Sequence, residues 1–501
     1  MFEYVLPALA EILSWPALGF VLLGSTIGLL FGVMPGLGGT QALALLLPLT
    51  FGMEADNAIV LMVGVAGAVP FGGSITAILL NTPGTGQNAA TVYDGFPMTK
   101  MGKAGQALGA SACASVMGGI FGAVILTLIL PIGRHIVLAF SYPEIFMMAV
   151  MGLSMVAILA RGNVGKSFIT GGLGILIASV GFDPISNATR YTLGSYYLWD
   201  GFKLIPVVIG LFALAESFSL MTKKGSISDE KVNTSMSGVF EGMAAVFKNF
   251  GLFLRSSVIG TIIGIIPGVG GSVANFLAYG QAVATAKDKE NFGKGDIRGV
   301  IAAEASNNAK DGGTLVPTLL SGIPGNLEMA VLITALIFHG IQPGPRMILD
   351  HGDISVMLIY TLVIANIFVG IVGISLTSVL TRLTKVKTTY IGPIIMMIAL
   401  VGAYITHTDI GDVIVVLAFG LLGFGMGLYN YPRVPLIIGL VLGELMQTSY
   451  HQTIDTFGLA GFYSRPISLG LFIFTVLLLI SPLLEKIPVA ALFGKKSKGV
   501  N

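Results

Sequence analysis

Residues 28–42, GLLFGVMPGLGGTQA, and residues 260–274, GTIIGIIPGVGGSVA, carry one motif twice, with no gap between the copies. Gly28, Gly32, Pro35, Gly36, Gly38, Gly39 and Ala42 recur as Gly260, Gly264, Pro267, Gly268, Gly270, Gly271 and Ala274, with Ser272 in place of Thr40. In each copy an apolar run with glycine every fourth residue meets a proline and then a glycine pair. Proline removes a backbone donor and clashes with the preceding turn, while glycine admits conformations that other residues resist, so a helix must stop there. The flanking residues are apolar enough to lie in lipid, where interrupted backbone is tolerated only when protein or a water-filled cavity covers it. Composition places the whole chain in that setting: 54% of the 501 residues are hydrophobic and 10% are charged. A soluble domain carries roughly 25% charged residues. At about 20 residues per crossing, the apolar share would supply on the order of ten to thirteen spans.

Several function classes are excluded at this stage. A net charge of +2 leaves no basic footprint for nucleic acid. Cys113 is alone and the 5 histidines lack ligand spacing, so no metal site or cofactor is expected. The segment ARGNVGKS at 160–167 resembles a phosphate loop with Ala160 at the first glycine. Its flanks are apolar rather than a strand and a helix of a soluble domain, so Arg161 and Lys166 read as membrane-end anchors. No HExxH or GxSxG motif is present, and the chain is not expected to be an enzyme. The N-terminus lacks the basic start and cleavage site of a secretory signal and reads as retained.

The expected organisation is an interfacial segment at 1–16, a first membrane repeat at 17–221, a solvated linker at 222–249 with Lys223, Lys224, Lys231 and Lys248, a second repeat at 250–450, and a last helix with a basic tail at 451–501. The first 99 residues contain no Lys or Arg. Lysines precede the second motif, so the positive-inside rule has it entered from the cytoplasm and the first from outside. The fold class is therefore an all-α polytopic membrane protein of two inverted repeats with discontinuous helices and re-entrant hairpins.

A second duplicated motif follows each break. GGSITAILLNTPGT at 72–85 resembles GGTLVPTLLSGIPGN at 312–326 if one residue is inserted in the second copy. The apolar stretch before each turn is too short to cross the bilayer, which predicts a re-entrant hairpin with a polar tip; a surface turn would use the same residues. The candidate ligand groups are the backbone amides and hydroxyls of Gly38, Gly39, Thr40, Gly270, Gly271 and Ser272 at the helix starts, completed by Asn81, Thr82, Thr85, Ser321 and Asn326 at the tips. Helix N-termini present unpaired N–H groups and a positive dipole end, which suits an anion. Between the motifs, EASNNAKDGGT at 304–314 offers Asn307, Asn308, Lys310 and Asp311 as ion or substrate ligands, provided that it lies at membrane depth rather than at a cytoplasmic helix end. Isolated Glu216, Glu328, Glu444, Asp409 and His407 read as helix caps or interface residues.

GVMPGLGGTQALALLLPLTFGM, GGSITAILLNTPGTGQNAATVYDGFPM and GIIPGVGGSVANFLAYG are similar to the large permease subunit of the tripartite tricarboxylate transporter (TctA) family, over roughly residues 17–440. The resemblance implies a bacterial inner-membrane secondary transporter, working with a small membrane subunit and a periplasmic solute-binding protein. It implies an organic carboxylate such as citrate or a dicarboxylate as substrate. Coupling to sodium or protons is expected, because carrying an anion against an inside-negative potential costs about 2.3 kcal/mol per charge per 100 mV. An elevator motion of the hairpin-bearing part is a further expectation. The alternative is a passive anion channel or a membrane scaffold whose glycine breaks serve packing alone.

Overall fold

The computed structural model describes residues 2–34, 37–81, 83–138, 141–159, 164–183, 185–186, 188–222, 236–267, 270–377 and 388–484. Its helices in chain order begin with α1 Val5–Ile12, α2 Ala17–Val33, α3 Gly39–Leu46, α4 Ala55–Leu80, α5 Ala89–Lys100, α6 Ala104–Leu138, α7 Tyr142–Leu159 and α8 Val164–Ala178. A short hairpin pairs β1 Gly181–Phe182 with β2 Thr189–Arg190, and α9 Leu204–Val208 continues through a π-turn into α10 Ala215–Thr222. The second half holds α11 Met236–Lys248, α12 Phe250–Ile265, α13 Gly270–Thr285, α14 Ile297–Ser321, α15 Leu327–Phe338, α16 Pro345–Asp350 and α17 Gly352–Ser375. It ends with α18 Thr388–His407, α19 Ile410–Leu428, α20 Val434–Phe457, α21 Gly461–Ser464 and α22 Pro466–Leu484.

Among the described residues, α4, α6 as far as Gly133, α17 and α19 are each long and apolar enough to cross a bilayer. Two bent pairs, α1 with α2 at 69° and the α11 segment with α12 at 79°, have the same property when each pair is taken together. The chain is a multi-pass, all-α membrane protein.

Both helix breaks are present. α2 ends at Met34, whose backbone is extended (φ −92°, ψ 101°), and α3 restarts after the extended Gly38. α12 ends at Ile266 in the same way (φ −83°, ψ 109°), and α13 restarts at Gly270. Upstream of each break the glycines bring two backbones into direct contact. Gly28 and Gly32 pack on the carbonyls of Val65 and Val69 in α4; Gly260 and Gly264 pack on those of Ser306 and Lys310 in α14. A Cβ on Gly32 would stand 2.9 Å from the Gly72 Cα, and one on Gly264 would stand 3.1 Å from the Gly313 Cα.

These contacts do away with the inserted residue of the second motif. Gly72 corresponds to Gly313, not Gly312, and the copies then run without a gap through Asn81 and Gly322, both in the left-handed region (φ 54° and 68°), to Gly84 and Gly325. Gly312 serves a different contact, lying against Gly122 of α6. The segments before the turns also differ from the short re-entrant stretches expected. They are the last turns of the 26-residue α4 and the 25-residue α14. Polar Ser74 and Thr76 broke the apolar run in the sequence, but both are fully buried and the helix continues through them.

The first helix of each half packs on the other half. α11 meets α6 with Gly242 against the Gln106 carbonyl, and the Tyr360 hydroxyl of α17 donates to the Val5 carbonyl of α1 at 3.1 Å. The linker expected at 222–249 thus ends in a helix, and residues 223–235 lie outside the described residues. The boundary expected at 450 falls within α20, and the basic tail beyond 484 lies outside the described residues, as do residues 160–163 of the phosphate-loop-like segment.

Outside the spans, Arg298 donates to Asp288 at 2.9 and 2.7 Å and to Asp296, closing the loop that leads into α14. These hydrogen bonds hold the Asp288 carboxyl down at about 2. Because this value lies below the ordinary aspartate range of about 3.9, the clamp is complete above that range and is lost only as pH falls through about 2. Arg298→Gln should therefore lower the melting temperature equally at pH 5 and pH 8. Gly28→Leu and Gly264→Leu, which drive a side chain into a facing backbone, should cost at least the about 1–3 kcal/mol of an overpacked core. Gly280→Ala, with nothing within 4 Å of the added carbon, should melt like the parent in the same detergent.

Candidate functional site

α4 and α14 occupy the centre. Every residue of α4 from Asn57 to Leu80 is buried, and so is α14 from Gly299 to Leu319, including Glu304, Ser306, Asn307, Asn308, Lys310 and Asp311. So polar a helix is absent from lipid because it is clad in protein: Gly118 and Gly122 of α6 pack on the Ala305 and Ala309 carbonyls, opposite the α12 contacts already described. The Asp296 side chain starts α14 by accepting from the Arg298 N–H at 2.9 Å, and Gly322 ends it. The run 304–314 therefore lies in the interior, not at a solvated helix end.

Two polar layers follow along α14. In the first, the Glu304 carboxylate accepts from Ser74 Oγ at 2.6 Å, from Ser115 Oγ at 3.0 Å and from Thr91 Oγ1. Asn88 Nδ2 donates to Ser74 Oγ at 2.9 Å and to the Pro70 carbonyl at 2.8 Å, and Thr85 Oγ1 donates to Asn88 Oδ1 at 2.7 Å. This layer joins the second half's α14 to α4, α5 and α6 of the first.

In the second layer Lys310 Nζ is paired with Asp311 Oδ1. Glu328, at the start of α15, accepts from Gln87 Nε2 at 3.3 Å and from Asn326 Nδ2 at 2.8 Å. Gln87 and Glu328 are 241 residues apart and occupy equivalent places in the two copies, each third after the glycine of its Pro-Gly. Each also lies against the other half's helix start. A Cβ on Gly39 would stand 2.9 Å from Glu328 Cγ; one on Gly271 would stand 2.9 Å from Gln87 Cδ and would run into the Lys310 stem. Among the described residues, both polar atoms of Asn307, together with Asp311 Oδ2, Asn308 Oδ1 and Gln87 Oε1, have no hydrogen-bond partner. Buried polar atoms are nearly always satisfied, so this concentration on and beside α14 is unusual.

The second layer thus gathers Gly39, Gly271, Lys310, Asp311 and Asn326, with the buried Asn307 about one turn before Lys310 on α14. Thr85 belongs to the Glu304 layer. Asn81 is exposed at the end of α4, and Ser321 Oγ donates to the Pro317 carbonyl of its own helix at 2.7 Å. The Gly38 amide is taken by Gln41 Oε1 at 3.0 Å, Thr40 is buried within α3, and Gly270 is the first residue of α13. Asn308 turns to α17, where its Nδ2 donates to Asn366 Oδ1 at 2.5 Å. Thr82 and the side chain of Ser272 lie outside the described residues. The sequence reading overlooked Gln87, Asn88 and Glu304 and set Glu328 aside as a cap or interface residue. The register after Pro-Gly pairs Gln87 with Glu328, whereas Asn88 and Glu304 carry no such signal. Asp409 does cap a helix, accepting from the Gly411 N–H at 2.7 Å, while His407 Nδ1 lies 2.5 Å from the buried Asp412.

Among the described residues no group of three or more His, Cys, Asp or Glu side chains forms a metal centre. Lys310, neutral side-chain amides and two helix starts converge on one interior site, and unpaired N–H groups at a helix start favour negative charge.

The model of the tripartite tricarboxylate transporter TctA family matches residues 18–438. The chain is 32% identical over 425 residues to the 52.8 kDa protein in the TAR-I ttuC′ 3′ region of Agrobacterium vitis, covering 85% of this chain and 84% of that protein. It is 30% identical over 188 residues to the protein in the TAR-II ttuC′ 3′ region of the same organism, covering 38% of this chain and 78% of that protein. Among solved structures, the Eremococcus coleocola manganese transporter in complex with an aromatic bis-isothiourea substituted compound aligns at 14% identity over 94% of this chain and 96% of that chain. Its TM-score is 0.12, which carries no fold assignment.

Because three hydroxyls donate to Glu304, Glu304→Leu should strand them in the interior and cost about 1–3 kcal/mol. Glu304→Gln, which keeps the shape and part of the bonding, should cost less. Thermal melts of the two variants in one detergent test this order.

Proposed function

The chain belongs to the tripartite tricarboxylate transporter TctA family, and from that premise we propose that it imports an organic carboxylate by ion-coupled secondary transport, with the substrate held in the Lys310 layer. A family of tripartite transporters makes this chain the large membrane subunit of a system with further subunits. In this reading those are a small membrane protein and a periplasmic binding protein, and the assembly sits in a bacterial inner membrane. The substrate is a di- or tricarboxylate such as citrate.

The observation that carries the reading is the unsatisfied layer itself: Asn307 offers two donors and an acceptor, Asp311 keeps a free oxygen, and Lys310 supplies a cation beside the start of α13. Neutral amides and helix dipoles hold an anion without a fixed counter-ion and so release it again. Lys310, Asp311 and Glu328 together carry a formal charge of −1 when ionised. An anionic substrate adds to that charge in a dehydrated interior, so entry calls for accompanying cations, which supports coupling to sodium or protons. In this reading the two halves are inverted about the site, and the part bearing the second motifs moves as an elevator against the rest.

The test is uptake of labelled citrate and a dicarboxylate panel into proteoliposomes holding the full assembly, under imposed sodium and proton gradients. Gradient-driven uptake is expected in the parent. Lys310→Met and Asn307→Leu should reduce it at least about tenfold; Asn307→Leu should melt close to the parent, while Lys310→Met, which strands the buried Asp311, should melt lower and is read only in assembled, folded protein. Flux indifferent to every ion gradient would instead establish a passive channel, and no carboxylate flux in an assembled, folded complex would overturn the reading.

A further inference from the structure

The place where a substrate carboxylate would meet α3 and the two loops already holds a carboxylate of the protein. Glu328 Cγ and Oε1 would each be 2.9 Å from a Cβ on Gly39, so any larger residue at position 39 would displace it from the helix start. Gln87, from the loop after α4, donates to both oxygens at 3.3 and 3.4 Å, and Asn326, from the loop after α14, donates at 2.8 Å. Glu328 is 7% exposed and Asn326 6%. Among the described residues no lysine or arginine forms a salt bridge with Glu328; Lys310, paired with Asp311, attracts it from beyond contact distance. One carboxylate is therefore gripped by neutral amides from both duplicated loops at a helix start. The equivalent position in the other copy holds Gln87, an uncharged amide, against Gly271.

We propose that Glu328 is a built-in competitor: its carboxylate fills a subsite shaped for a carboxylate of the transported molecule and must withdraw before that group can enter. An internal ligand of this kind accepts from Gln87 Nε2 and Asn326 Nδ2 while the site is empty of substrate, at the expense of affinity when substrate arrives. Its withdrawal delivers a negative charge toward Lys310 and Asp311, which links substrate entry to a rearrangement of that pair. The competition with substrate rests on the carboxylate reading above; the subsite itself is testable without it.

Deleting the competitor should leave a pocket that a small free carboxylate refills. The probe is acetate, titrated against chloride at constant ionic strength into the purified full-length chain in detergent, with the melting temperature as readout. Glu328→Ala should show a saturable stabilisation that the parent lacks, and adding Gln87→Leu should weaken the acetate midpoint at least about tenfold. If Glu328→Ala does not fold, Glu328→Gln carries the test: with the charge removed, the transported carboxylate should bind about tenfold tighter than to the parent. Acetate acting equally on parent and Glu328→Ala, acetate without effect on a folded Glu328→Ala, or weaker substrate binding in Glu328→Gln would each overturn the proposal. The two readings fail separately. Acetate stabilisation confined to Glu328→Ala in a protein that moves no carboxylate would leave the subsite standing and remove the transport assignment. Gradient-driven uptake with a silent acetate titration would do the reverse.

Discussion

Backbone lies directly on backbone where α2 crosses α4 and where α12 crosses α14, and the rest of the architecture hangs from those two contacts. Between helices in lipid the hydrophobic effect supplies little drive, because a lipid tail is as apolar as a leucine; close van der Waals packing has to replace it. Gly28 and Gly32 on the Val65 and Val69 carbonyls, and Gly260 and Gly264 on those of Ser306 and Lys310, provide that packing twice with the same geometry. The approach also determines height. Each helix break follows the last glycine contact, so α3 and α13 restart beside the loops that end α4 and α14. Clad by α6 and α12, α14 can carry charges in the interior that no lipid-facing helix would keep.

The two polar layers on α14 divide their work by how fully they are satisfied. Glu304 receives three hydroxyl donors from three different helices of the other half, and a completed buried network of this kind rigidifies what it joins. One or two turns further on, Asn307, Asp311 and Gln87 retain atoms without partners. An incomplete network is costly in a permanently closed core but useful where a ligand is to complete it. The first layer holds the halves together; the second leaves buried polar atoms unpaired. Glu328 stands between these roles, its hydrogen bonds all from neutral amides.

Much of this was legible in the residues. The apolar composition, the paired Pro-Gly breaks and the membership of Asn307, Lys310 and Asp311 in one site candidate all come from local pattern. Other features were misread for physical reasons. Ser74 and Thr76 interrupt the apolar run, so α4 looks shorter than it is, because a sequence does not say that a polar residue will find its partner on another helix. Pairing Gly72-Gly73 with Gly312-Gly313 calls for an inserted residue that pairing Gly72 with Gly313 does not need, and the two second-copy glycines are equivalent until α12 and α6 choose between them. Glu328 passes for an interfacial acid because what it meets, Gln87 and the start of α3, belongs to the other half.

By itself the sequence determined that this chain is a multi-pass helical membrane protein, that its helices break twice at the same motif, and that its lysines avoid the first 99 residues. Those outcomes follow from backbone sterics and transfer free energy, which act over a few neighbouring residues. The tertiary structure alone decided that Ser74 reaches Glu304 and Gln87 reaches Glu328, across 230 and 241 residues of chain, and that Ser321 and Asn81 turn away. Such pairings depend on which helix faces are covered by the other half, and that is a property of the packed whole, not of any segment within it.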